Sequence, residues 1–166
     1  APLLFFLNND TVLFPRWAEP LLSAFADTPR LACVGPLLLY RDGTVAVFES
    51  DTFDPDATDL SEVWQAWEFG PSLVDENGAA RSEFHTKYHD INRANPRTFF
   101  GYYEPGHYCF VVIDGRKSGY SNGLTLAEEA QLAESLGCTV AFNLDGGQTT
   151  QLYWNETIYK IGRAHV

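Results

Sequence analysis

The chain has no methionine, three cysteines, and half as many basic residues as acidic ones, 11 Lys and Arg against 22 Asp and Glu. Each scarcity excludes something. Cys33, Cys109 and Cys138 are odd in number, widely spaced and form no Cys-x-x-Cys pair, so a disulfide framework has no support. Cys109 and Cys138 stand inside apolar runs and read as buried thiols. The formal charge of -11 argues against a nucleic-acid partner; an anionic ligand would need a local cluster of Arg, Lys and backbone N–H groups. No apolar run approaches the roughly 18 residues of a membrane span. The chain opens with APLLFFLNND, inside a strand-like run and without an initiating Met, so the lack of a targeting signal carries no weight.

What is present supports a folded domain. In 166 residues, 45% are hydrophobic, with twelve Phe, eight Tyr and four Trp, which is enough for one core and argues against disorder. Three pieces separate along the chain. Residues 1 to about 40 read as a strand (LLFFL), a polar turn, a helix from about Trp17 to Ala26 and a second apolar run. Residues 41 to 107 are mixed: YRDGT reads as a turn between strands, DPDATDLSEVWQAW as a loop leading into a helix, and FGPSLV as a short strand.

Residues 108 to 160 are the most legible. YCFVVI is a β-branched apolar run of strand length, and TVAFNL is a second. Between them TLAEEAQLAESLG predicts a helix: Thr125 and Glu128 form a capping box, Leu126, Ala130, Leu132, Ala133 and Leu136 give an apolar face, and Gly137 ends it. Strand, helix, strand predicts a βαβ unit at 108–144, hence an α+β fold with a mixed sheet. Asp114-Gly-Arg and Asp145-Gly-Gly would then fall at the carboxyl ends of parallel strands, an edge where α/β sheets bind ligands.

The chemistry follows from those residue types. Asp114 and Asp145 each leave a buried strand and precede Gly, which lets the chain turn sharply and brings N–H groups near a ligand. Arg116 and Arg97, the latter in NPRTFFG, can grip a phosphate or carboxylate in bidentate fashion. Asn143, Thr149 and Thr150 add amide and hydroxyl groups. Two carboxylates with two guanidiniums suit hydrolysis at a sugar that bears a phosphate.

NPRTFFG, FVVIDGRKSGYSNGLTLAEEAQLAESLGC and AFNLDGGQTT occur in that order and resemble the phosphodiester glycosidase family. That group includes the lysosomal uncovering enzyme for N-acetylglucosamine-1-phosphodiesters. WEFGPSLV and LYRDGTVAVFE resemble its middle section, so the similarity covers about residues 38 to 160. The resemblance implies cleavage between an anomeric carbon and a phosphodiester oxygen, releasing a sugar and leaving a phosphomonoester. It implies a small-molecule or glycan phosphodiester as partner; no cofactor is expected, and no metal-binding residue is assigned. By the same resemblance Arg97 and Arg116 would bind phosphate, with Asn143 beside them. Asp145 or Asp114 would act as acid, base or nucleophile, and Gly146 and Gly147 would present N–H groups. Intact bacterial members would be expected in the cell envelope or secreted.

The sequence departs from the family pattern in carrying Gln148, Thr149 and Thr150 where a glycine and two serines are commoner. The family's amino-terminal section, with its Asn-Gly-Gly-Phe-Phe motif, is not found. Instead LLFFLNNDTVLFPRWAEPLLSAFAD resembles part of a family 2 glycosyltransferase, in which Asp10 would help hold a divalent metal and a nucleotide sugar. The expected organisation is therefore a transferase-like fragment over 1–40, joined between about Pro36 and Val45 to a glycosidase domain over 41–160. The tail from 161 to 166 (IGRAHV with its initial Ile) matches one frame of a sequencing adapter and is expected to be read-through. The alternatives to a glycosidase are a nucleotide-sugar transferase and an inactive chimera. His85 and His89 have metal-pair spacing without a third ligand nearby, His107 is expected to cap a turn, and Trp64 and Trp67, at helical spacing, are expected in a core or groove.

Overall fold

The computed structural model describes residues 37–48, 53–54, 56–67, 69–84, 89–147, 150–154 and 157–161. Asp10, Cys33, the helix expected over 17–26, His85, Gln148, Thr149 and His165 lie outside the described residues, as does the side chain of His89. The elements are β1 (Leu37–Tyr40), β2 (Val45–Val47), β3 (Val63–Trp67), a 3-10 turn at His89–Asn92, β4 (Arg97–Glu104) and β5 (His107–Ile113). Then come α1 (Leu126–Ser135), β6 (Val140–Leu144), β7 (Gln151–Trp154) and β8 (Thr157–Ile161).

β4 organises the fold because its alternating side chains feed two cores. Phe99 and Gly101 pair with Asn143 and Ala141 on one face of the sheet, and Phe100 pairs with Phe142 on the other. On the first face Phe99, Ala141, Leu73 and Cys138 pack with Leu126, Ala130 and Ala133 of α1. On the second, Phe100 and Phe142 meet Leu37 of β1, and Trp67 of β3 stacks on Phe100 at 5.2 Å. Helix, sheet β5-β4-β6 and sheet β2-β1-β3 thus form successive layers of an α+β fold, with β7 and β8 paired separately. Phe99 and Phe100 are both fully buried. Burying one such ring stabilises by up to about 3 kcal/mol, a large share of a domain's net stability of about 5–15 kcal/mol.

α1 forms where local chemistry places it. Thr125 Oγ1 accepts from the Glu128 N–H at 3.2 Å, and Glu128 Oε2 accepts from the Thr125 N–H at 2.8 Å, closing the capping box. Gly137, at φ 76°, ends it, with Cys138 N–H donating to Ala133 O at 3.1 Å.

The unit expected at 108–144 is split: β5 and β6 run in the same direction but are separated by β4, the order being β5-β4-β6 with both antiparallel to β4. The hairpin β4–β5, turning at Pro105–Gly106, takes one edge of β4 first, and the chain returning through α1 finds only the other edge open. Residues 63–67 are a strand, not a helix, because Val63–Trp67 pairs along β1. Trp64 consequently lies exposed and Trp67 joins the core. FGPSLV bridges β6 at Ser72–Phe142 rather than forming a full strand. Among the described residues no helix is long and apolar enough to cross a membrane.

Candidate functional site

Because β5 and β6 both run antiparallel to β4, their carboxyl ends meet its amino end. Arg97 pairs with Ile113, and Thr98 with Leu144. Asn95-Pro-Arg, Asp114-Gly-Arg and Asp145-Gly-Gly, scattered over some fifty residues, are therefore brought to one edge. They enclose a cavity of about 230 Å³ lined by Asn95, Pro96, Arg97, Arg116, Asp145, Gly146 and Gly147, together with Phe69, Ile91 and Leu144.

The three turns lie on one another with no room to spare. A Cβ at Gly146 would sit 2.9 Å from Pro96 O and 3.3 Å from the Arg97 Cα. One at Gly123, where φ is 89°, would sit 2.2 Å from the carbonyl of Asn95. Glycine at these positions is what allows the loops to close around the cavity. The Gly147 N–H donates to Pro96 O at 2.9 Å, and the Gly146 N–H to Asp145 Oδ1 at 2.8 Å. Both amides expected to face a ligand are thus engaged within the protein. Asp145 itself is exposed at the cavity wall.

The two arginines are used differently. Arg97 is only 4% exposed. Its Nε donates to Leu124 O at 3.0 Å, and its Nη2 donates to Arg93 O at 2.8 Å and to Ile91 O. The guanidinium ties two backbone segments together at the cavity wall, residues 91–93 and Leu124. Its other neighbour is Glu129, fully buried in α1, whose Oε2 lies 3.8 Å from Arg97 Nε. That N–H is already donated to a carbonyl, and neither Glu129 oxygen has a hydrogen-bond partner among the described residues. Burial therefore pushes the Glu129 carboxyl up to about 8, and Arg97 offsets this only in part. Burial likewise draws Arg97 below the usual arginine value.

Arg116 lies at the exposed surface of the same cavity, with φ 53°, a left-handed backbone that non-glycine residues seldom adopt. Its Nε and Nη2 both donate to Asn95 Oδ1, at 3.2 and 2.7 Å. Its remaining N–H groups have no partner among the described residues.

Asp114 and Asn143 do not line the cavity. Asp114 Oδ2 accepts from the Tyr120 hydroxyl at 3.1 Å, which raises the Tyr120 pKa, and its carbonyl accepts from Ser121 Oγ at 2.6 Å. It organises the loop that follows β5. Asn143 is fully buried; its Nδ2 donates to Gly70 O at 2.7 Å and its N–H to Pro71 O at 3.0 Å, anchoring the turn that carries Phe69. Thr149 lies outside the described residues, while Thr150 Oγ1 is buried without a hydrogen-bond partner among them. His107 begins β5, its Nδ1 3.8 Å from Glu104 Oε1 and its ring 4.5 Å from that of Tyr103. Among the described residues no three His, Cys, Asp or Glu side chains cluster so as to hold a metal ion.

Asn95, Phe69 and Ile91 also line the cavity, beyond the candidates that the sequence offers. Asn95 belongs to NPRTFFG and Phe69 to WEFGPSLV, whereas no sequence signal marks Ile91.

The family described as phosphodiester glycosidase matches residues 20–165. A Bacillus subtilis (strain 168) protein, the SPbeta prophage-derived uncharacterized protein YomE, is 32% identical over 120 residues, covering 72% of this chain and 18% of its own length. The zebrafish N-acetylglucosamine-1-phosphodiester alpha-N-acetylglucosaminidase catalytic domain, auto-inhibited by its pro-peptide, shares the fold with a TM-score of 0.56 at 19% identity. That similarity covers 76% of this chain and 44% of the zebrafish one. A hypothetical protein from Synechocystis gives a TM-score of 0.50 at 16% identity over 80% of this chain and 32% of its own. The chain spans less than half the length of each of these relatives.

Proposed function

This chain belongs to the phosphodiester glycosidase family, and from that premise we propose that its cavity hydrolyses a sugar-1-phosphodiester of the N-acetylglucosamine-1-phosphodiester type. The bond broken is the one between the anomeric carbon and the bridging oxygen. Water supplies a hydroxyl to the sugar, and the remaining proton balances the phosphomonoester that leaves. The observation that carries this reading is that Asp145 and Arg116 line one cavity, a carboxylate and a cation on turns of different strands.

The division of labour follows from the leaving group. A phosphomonoester has a second pKa of about 6, so it departs as an anion with little need of a general acid. What it needs is a cation beside the oxygens where charge grows, and Arg116 has N–H groups for that purpose. Asp145 then assists attack at the anomeric carbon, as a base toward water or as the nucleophile itself. Arg97 acts at the cavity wall, as a brace for the carbonyls of Ile91, Arg93 and Leu124. Asp114 and Asn143 are positioning residues in this scheme.

The test is to incubate the protein with an alkyl phosphodiester of N-acetylglucosamine-1-phosphate and follow products by phosphorus NMR. Free sugar and an alkyl phosphate are expected. Sugar-1-phosphate with free alcohol, or no turnover at all, would refute the proposal.

A further inference from the structure

Phe69 has an unusual backbone for a residue with a side chain. Its φ is 138°, a region that side chains disfavour and glycine adopts freely. The residue is 38% exposed, so the hydrophobic gain from its burial is incomplete. Yet the turn is clamped: Asn143, two residues before Asp145, donates from its side chain to Gly70 O at 2.7 Å and from its backbone to Pro71 O at 3.0 Å. A Cβ at Gly70 would touch the Phe142 ring at 3.4 Å, so the turn also rests on β6. The result of this support is one aromatic ring in the wall of the cavity that Arg116 and Asp145 share.

We propose that Phe69 is the sugar-stacking surface of this cavity, held in place by Asn143 from beneath; the inference rests on the hydrolytic reading above. Arg116 and Asp145 recognise charge and the reacting carbon, and neither can recognise the C–H face of a pyranose ring. An aromatic face does so, and binding pockets commonly join one such apolar wall to a few fixed polar groups. Strain at Phe69 is then the cost of aiming the ring, and Phe69 sets the preference for a sugar phosphate over phosphate alone.

The experiment measures binding by calorimetry of two probes, inorganic phosphate and the C-glycosidic phosphonate monoester of N-acetylglucosamine, which lacks the scissile oxygen. Phe69→Ala is expected to weaken the sugar probe about five- to tenfold and leave phosphate unchanged, while Phe69→Trp retains sugar binding. Phe69→Gly, free of the strained side chain, is expected to melt at or above the parent temperature while losing sugar preference. Unchanged sugar affinity in Phe69→Ala, equal weakening of both probes, or a lowered melting temperature in Phe69→Gly would overturn the assignment. A parent protein that binds neither probe would instead overturn the hydrolytic reading and this inference with it.

Discussion

Arg116 is held by Asn95, which accepts from both Nε and Nη2 of the guanidinium, at 3.2 and 2.7 Å, while Arg116 keeps a left-handed backbone at φ 53°. This one contact links the loop after β5 to the segment before β4 and aims the cation along the cavity. Removing the cation should therefore cost much more than removing its brace. Arg116→Ala is expected to lower kcat/KM by about 100- to 1,000-fold, the usual loss for a preorganised charge-stabilising donor. Arg116→Lys should recover little, because an ammonium cannot reproduce the planar fork. Asn95→Ala should cost about tenfold, and the double substitution little more than Arg116→Ala alone. Additive losses in such a cycle would show that Asn95 acts independently of Arg116.

Asp145→Asn preserves shape, and the amide oxygen can still accept the Gly146 N–H that Asp145 Oδ1 accepts at 2.8 Å. The fold should survive and the chemistry should not. We expect melting to be unchanged and turnover to fall about 100- to 10,000-fold. Asp114→Asn, away from the cavity, should fall far less. A reversed order would move the reacting carboxylate to the loop after β5.

Glu129 makes stability depend on pH in a defined direction. Its folded pKa of about 8 stands above its ordinary 4.5. Between those values the unfolded carboxyl is ionised while the buried one keeps its proton. The contribution is complete below about 4.5 and is lost as pH rises through about 8. The expected slope is on the order of 1 kcal/mol per pH unit at most, moderated by Arg97. Glu129→Gln keeps the shape without the titration, so its melting temperature should gain on the parent from pH 5 to 8. A difference that is constant across that range would mean Glu129 is ionised throughout.

Gly123→Ala should be among the most damaging small substitutions. A methyl there would meet the Asn95 carbonyl at 2.2 Å at a φ of 89°. A loss of about 3 kcal/mol or more is expected from clash and strain together, and calorimetric melting would measure it. Gly106→Ala, with nothing within 4 Å of the added carbon, should cost only its positive φ.

What the sequence made legible was local. Thr125 with Glu128 and Gly137 define α1 within one or two residues, because capping is decided by neighbours in the chain. Asp114, Arg116 and Asp145 were recognisable because an acid and glycine after a buried run mark a strand end whatever the strand order. The order itself was not legible: nothing within residues 108–144 reveals that β4 separates β5 from β6. Val63–Trp67 looked helical because its pairing partner, β1, lies more than twenty residues upstream. Arg97 carries the same guanidinium whether it meets a phosphate or three carbonyls, and only packing distinguishes the two. Asn95 and Phe69 gain their places from contacts with Arg116 and from the turn above Asn143, which no spacing encodes.

The central claim is that this cavity breaks the bond at the anomeric carbon. The most direct measurement is hydrolysis of the N-acetylglucosamine phosphodiester in isotopically labelled water, with both products weighed by mass spectrometry. The label is expected in the free sugar, with none in the phosphomonoester. Label in the phosphate would mean attack at phosphorus and would contradict it.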